Sequence, residues 1–148
     1  MKPAESNRLL SHRLPFTMSN GNDGRGSKWF SSAKLRKAFE ADIRHMRLTR
    51  EPFSFPVIVR VTRILGKGQR LWDSSSIGRG NYKELEDALV ACGWFHDDSP
   101  KWITETIFKQ NPDDRGNGSA IEIEIFTDNA TAQGLRGSEN SDTKNDHE

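Results

Sequence analysis

Between Asn81 and Cys92 the apolar residues Leu85, Ala88, Leu89 and Cys92 fall at i, i+3, i+4 and i+7, the spacing that lines one face of an α-helix. Lys83 and Asp87 lie four apart on the polar side, and Gly93 supplies the left-handed stop that ends helices. A second helix is expected from a serine cap at Ser31-Ser32, with Leu35, Phe39, Ile43 and Met46 at steps of four, four and three. Glu51-Pro52 closes it. The period then changes. Val57, Val59 and Val61 alternate with Ile58, Arg60 and Thr62, which predicts a strand over Pro56–Leu65. Another strand is expected over Lys101–Lys109. Ile121, Ile123 and Ile125 alternate strictly with Glu122 and Glu124 to give a third, and a short strand near Leu14–Thr17 makes a fourth.

The turn-forming pairs Asn20-Gly21, Asp23-Gly24 and Gly26-Ser27 mark residues 1–28 as a flexible, basic-flanked segment. From about Thr127 the chain has almost no large apolar residue, so residues 127–148 are expected to form a disordered polar tail. What remains is one domain over 29–126. Its expected fold class is α/β (α+β), a mixed sheet of three or four strands packed against two main helices.

With 33% hydrophobic and 29% charged residues, the composition is that of a soluble globular chain, and no apolar run approaches the length of a membrane span. Arg and His interrupt the N-terminal stretch Ser6–Phe16, which therefore does not read as a secretory signal; the expectation is a cytoplasmic protein. The single cysteine agrees with that, and its place on the apolar helix face makes Cys92 a packing residue.

The formal net charge of +1 conceals a division. Residues 1–70 hold 15 Lys and Arg against 5 Asp and Glu, whereas residues 71–148 hold 7 against 16. A basic half beside an acidic one suits a protein that holds a polyanion and gathers carboxylates for divalent cations. The plainer alternative is a basic surface and an acidic tail that never meet.

The chemistry-bearing candidates concentrate in residues 66–103. The loop Gly66-Lys67-Gly68-Gln69-Arg70 brings cations just ahead of Asp73, without the spacing of a nucleotide-binding glycine loop. Asp73 precedes the central helix, Asp87 lies on it, and Asp97-Asp98 follow it. Hard cations such as Mg²⁺ prefer carboxylate oxygen, although Asp in loops also serves turns and caps. For Asp73 and Asp98 to converge, the loop after Trp72 must fold back along a helix about 18 Å long, at 1.5 Å per residue. Gly78 and Gly80 permit that. Trp72, Trp94 and Trp102 read as packing residues, and Trp29 beside Lys28 as the better nucleic-acid contact. His96 reads as an exposed turn residue. One Cys and four scattered His give no zinc pattern.

The segment from Asp73 to Ile103 resembles the signature of the RusA-like endodeoxyribonucleases, small Holliday junction resolvases. In that signature an Asp-x-Asp-Asn group precedes a helix-opening Lys, then Asp-Ala-Leu, then a Gly ahead of an Asp-Asp pair. Lys83, Asp87-Ala88-Leu89, Gly93 and Asp97-Asp98 match in order and spacing. The strand leading through a basic loop to Asp73, the Ser99–Ile103 stretch and the closing Ile121–Ile125 strand match more loosely, over roughly residues 14 to 126. The resemblance implies a Mg²⁺-dependent endonuclease (Mn²⁺ being an alternative metal) that cleaves branched DNA as a homodimer in recombination or repair. Carried over by position, Asp73, Asp97 and Asp98 would be metal ligands. Lys83 would neutralise phosphate charge beside Asp73 and Asp98 in catalysis. Apart from that carry-over, Lys67, Arg70, Lys28 and Arg79 are the cations expected to contact DNA.

One group departs from the pattern. Asp73 is followed by Ser74, Ser75 and Ser76, and ungapped alignment from the helix places Ile77 and Arg79 on the two Asp positions. Fewer carboxylates weaken a metal site. The alternatives are a non-catalytic junction-binding protein of the same fold and an unrelated small α/β interaction protein.

Overall fold

The computed structural model describes residues 3–17, 31–73 and 81–128. Lys28, Trp29, Gly78, Arg79, Gly80, the serine run after Asp73 and the tail beyond residue 128 lie outside them. The elements run β1 (Arg8–Leu14), α1 (Ser32–His45), β2 (Val57–Ile64), α2 (Tyr82–Ala91), β3 (Ile103–Asn111) and β4 (Ala120–Thr127), with single 3-10 turns at Glu5–Asn7 and Arg115–Asn117. The fold is α+β: a four-stranded mixed sheet with two helices.

The strands lie in the order β1-β4-β2-β3. β4 is antiparallel to both neighbours, while β2 and β3 are parallel and joined through α2, since parallel neighbours need a long crossover. The period of two decides which side chains face the helices. Val57, Val59 and Val61 of β2 and Ile121, Ile123 and Ile125 of β4 are all buried on one face, with Leu14 of β1 beside them. Phe39 and Ile43 of α1 and Leu85, Ala88, Leu89 and Cys92 of α2 close over that face. Each of the Val, Leu, Ile and Phe side chains among them contributes about 1.5–3 kcal/mol of burial. Trp94 is fully buried among them, its indole N–H donating to the Leu48 carbonyl at 2.7 Å.

Two strand boundaries differ from expectation. The strand placed near Leu14–Thr17 lies at Arg8–Leu14, because Leu10, His12 and Leu14 turn toward the core and Pro15 has no N–H to continue the ladder. Leu9 is extruded where the register shifts between Arg8 and Leu10. β3 begins two residues later than expected and runs to Asn111, because Trp102 and Ile103 donate back to the Ser99 carbonyl in a turn. Pro112 then stops the strand.

The two helices run side by side in the same direction. Near their N-terminal ends Ser32 Oγ donates to Glu84 Oε1 at 2.8 Å, and near their C-terminal ends Arg44 reaches the Ala91 carbonyl at 3.3 Å. The expected serine cap is in place, with Ser31 Oγ accepting from the Lys34 N–H at 3.1 Å.

Candidate functional site

α2 and the chain that follows it build one charged cluster. After Ala91 the helix ends in a Schellman arrangement: Gly93 N–H bonds to the Val90 carbonyl and Trp94 N–H to that of Leu89. Gly93 sits at φ +89°, and a Cβ there would lie 1.8 Å from the Arg50 carbonyl oxygen, so only glycine lets the chain turn here. The turn sends residues 94–98 back along α2. Asp98 thereby meets Lys83, fifteen residues earlier in the first turn of the helix.

Lys83 Nζ gathers three carboxylates. Besides Asp98 it lies 3.2 Å from Asp87 Oδ1 and 3.5 Å from Glu86 Oε1. The hydrogen bond to Asp98 is the largest influence on the ammonium and raises its pKa, with Asp87 adding to it against a smaller opposing effect of burial. Lys83 therefore stays charged at any physiological pH. Glu86 is the least exposed of the three acids, and burial pushes its carboxyl up against the pull of Lys83, with the Asp98 charge adding to the rise. Tyr82 is buried beside the cluster, where burial and the neighbouring Glu86 push its hydroxyl well above the usual range, and its ring stands edge-on to Phe108 of β3.

Beside this cluster an open groove of about 320 Å³ runs between the helices. Arg36 and Glu40 line it from α1, Asp87 and Val90 from α2, and Asp97 and Asp98 from the returning chain. Arg36 is paired with Glu40 at 3.7 Å, which leaves the acids of α2 and the following turn as the dominant charge. Asp97 is exposed, and hydrogen bonds from the Ser99 hydroxyl and N–H hold its carboxyl below the usual range; the N–H lies 2.8 Å from Oδ1.

Asp73 is placed differently. Trp72 is fixed to β3 through Gln110, donating its N–H to Oε1 at 2.7 Å and accepting from Nε2 at 2.8 Å, while the Arg63 guanidinium stacks on the indole 3.6 Å from its centre. Asp73 follows as an exposed residue and is not among the partners of Lys83. Of the sequence candidates, Lys83 and Asp98 are brought together, Asp97 lies next to them in the groove, and Asp73 adds nothing to their contacts. Among the described residues no three or more His, Cys, Asp or Glu side chains are grouped so as to cage a metal. Asp87, Asp97 and Asp98 bring carboxylate oxygen to the groove, the donor type that hard divalent cations prefer.

Lys67 and Arg70 are exposed on the loop after β2. That loop is tied down: Arg115 Nη1 donates to the Gly66 and Gln69 carbonyls at 2.8 and 2.6 Å, and Gly66 N–H donates to Gln69 Oε1 at 2.6 Å. Both cations thus stand on a fixed backbone. Sequence reasoning missed Glu86 and Glu40 as members of the site, though Glu86 stands at i+3 from Lys83, a spacing that makes helix neighbours. Glu40 carries no such signal, because its place depends on how α1 packs against α2.

No protein-family model matches this chain, and no curated protein matches it.

Proposed function

We propose that the protein is a Mg²⁺-dependent, structure-selective endonuclease of RusA-like type acting on branched DNA. The observation that carries this reading is the meeting of Lys83 and Asp98 across fifteen residues, with Asp87 beside them and Asp97 in the adjoining groove. An acid-rich groove next to a permanently charged lysine has the two parts that phosphodiester hydrolysis requires.

Asp98, with Asp97 and Asp87 as neighbours, would hold the metal. A bound Mg²⁺ supplies a positioned water nucleophile and neutralises charge on the scissile phosphate. Lys83 directs its ammonium at a phosphate oxygen, with Asp98 and Asp87 keeping it protonated and in place. Lys67 and Arg70, on their tied loop, contact the DNA backbone. A non-catalytic junction-binding protein is the second reading, favoured by the position of Asp73 outside the Lys83 cluster.

Cleavage of a synthetic four-way junction in Mg²⁺ or Mn²⁺, run beside Asp98→Asn with binding read on the same gel, tests the proposal. Paired nicks that fall by roughly 10²-fold or more in the variant are expected, in line with the loss of a carboxylate that would hold the charge-neutralising metal. Both partners of the Lys83–Asp98 pair are substantially exposed, so the variant should unfold within about 1 kcal/mol of the parent. Binding without cleavage in either metal overturns the nuclease in favour of the second reading.

A further inference from the structure

Among the described residues the large apolar side chains that stand exposed are Leu9, at 42%, and Leu71, at 58%. They differ in what surrounds them. Leu9 is extruded at the bulge of β1, and the Arg8 guanidinium next to it is committed to Glu124 and Glu5. Leu71 follows Arg70 in the stretch that joins the basic loop to Asp73, and both Arg70 and Lys67 are exposed.

The backbone on each side of Leu71 is pinned. The Arg70 carbonyl accepts from Arg63 Nη1 at 3.0 Å, and Trp72 is held at its N–H and its carbonyl by the Gln110 side chain. Arg63 Nη1 also donates to Gln110 Oε1 at 3.1 Å, which joins the two anchors into one unit. Arg63 is buried, so this unit belongs to the body of the domain. A lone exposed leucine is ordinary on a protein surface. One held out between two fixed residues, beside cations on a tied loop, is not.

An apolar tip among cations suits a polyanion that also offers flat apolar surface, as nucleic acid does at the faces of its base pairs. In unbroken duplex those faces are stacked, and a protein must part them at a cost. At a branch point the stack is interrupted where strands change partners, so the cost is lower. We propose that Leu71 is an apolar wedge that lies against base-pair faces at the branch point of a DNA junction, with Lys67 and Arg70 on nearby phosphates. Phosphate contacts position a protein without telling one DNA from another, so the wedge is what lets this loop select the branch. The inference rests on the reading of the protein as one that binds branched DNA, and it adds the residue that recognises the branch.

The test uses a four-way junction carrying a fluorescent aminopurine at the crossover, which brightens on unstacking, and a control junction with the same base midway along one arm. Each is titrated with the full chain in Ca²⁺ in place of Mg²⁺. The parent should brighten the crossover probe and not the arm probe. Leu71→Ser should lose that signal and about tenfold of the preference for junction over duplex, with the salt slope unchanged because no cation is removed. Leu71 is exposed, so the substitution leaves stability nearly unaltered. Leu71→Met, apolar and of similar volume, should keep both signal and preference. A parent that binds the junction without brightening the crossover, or a serine variant that brightens it as the parent does, overturns the wedge and leaves the nuclease reading intact. A bright crossover that is lost in the serine variant, with no cleavage in Mg²⁺ or Mn²⁺, does the opposite. A parent that binds no junction overturns both.

Discussion

Two helix ends show how far a single backbone angle reaches. α1 closes in the same Schellman arrangement as α2: Arg47 N–H bonds to the Arg44 carbonyl and Leu48 N–H to that of Ile43. The left-handed position is Gly93 in one helix and Arg47, at φ +59°, in the other. A side chain in that region costs about 1–2 kcal/mol, and part of the gain from removing it is returned to the unfolded chain by glycine's greater freedom. Arg47→Gly should therefore stabilise by about 0.5–1 kcal/mol, read as a higher urea midpoint with an unchanged slope. Gly93→Ala should do the reverse and cost about 3 kcal/mol or more, because strain adds to the backbone collision with Arg50. Gly93 was readable in the sequence as a stop after a periodic run. Arg47 was not, since nothing in the order Met46-Arg47-Leu48 marks a left-handed residue.

Among the strands, the alternation of Ile121, Ile123 and Ile125 with Glu122 and Glu124 fixes which face meets the helices but not what becomes of the other. Register decides that. β2 and β4 pair so that Arg60 stands opposite Glu124, and its guanidinium makes a two-pronged contact at 2.8 and 2.9 Å. Arg8 of β1 adds a third hydrogen bond at 3.0 Å, and Glu5 holds the far side of Arg60. Glu124 is 3% exposed. Burial pushes its carboxyl up, but the hydrogen bonds and charges of Arg60 and Arg8 outweigh it and hold the carboxyl below the usual range. A carboxyl whose folded pKa is depressed adds stability above its unfolded pKa, near 4.3, and that stability is lost as pH falls through the folded value. Glu122 is displaced the other way by burial and by the Glu124 charge, so its contribution is complete below the unfolded pKa and lost as pH rises through the folded one. Glu124→Gln should therefore flatten the acid limb of the stability curve and Glu122→Gln the limb above it, both followed by thermal melts across pH. Glu124→Ala should cost about 2–3 kcal/mol at neutral pH, because the half-buried Arg60 loses its main partner and keeps only Glu5. Equal acid limbs in Glu124→Gln and the parent would sink this account.

For the molecule as a whole, the charge division along the sequence becomes a division across one groove. Arg36 and Glu40 come from the basic half, Asp87, Asp97 and Asp98 from the acidic half, and parallel packing of α1 on α2 makes them face each other. Periodicity made the helices, the buried stripe of α2 and three of the four strands legible, since each depends on neighbours within a dozen residues. The order β1-β4-β2-β3 and the burial of Glu124 depend on pairings more than forty residues apart and leave no local mark. The site divides similarly: Lys83 and Asp98 were legible by spacing, whereas the anchoring of Trp72 by Gln110, which fixes where Asp73 starts, spans 38 residues. If the protein holds DNA, binding should depend most on cations with fixed bases and exposed tips. Lys67 and Arg70 have both, because Arg115 secures the loop beneath them. Each neutralised phosphate releases counterions, so Lys67→Ala and Arg70→Ala should each lower the salt dependence of junction affinity by about one in the logarithmic slope and weaken binding to all sequences alike. Arg115→Ala removes no exposed cation from the loop but frees its backbone, and should weaken binding while leaving the slope nearer the parent value. Slopes unchanged in both loop variants would place the DNA elsewhere, on the α1 face that carries Lys34 and Lys37.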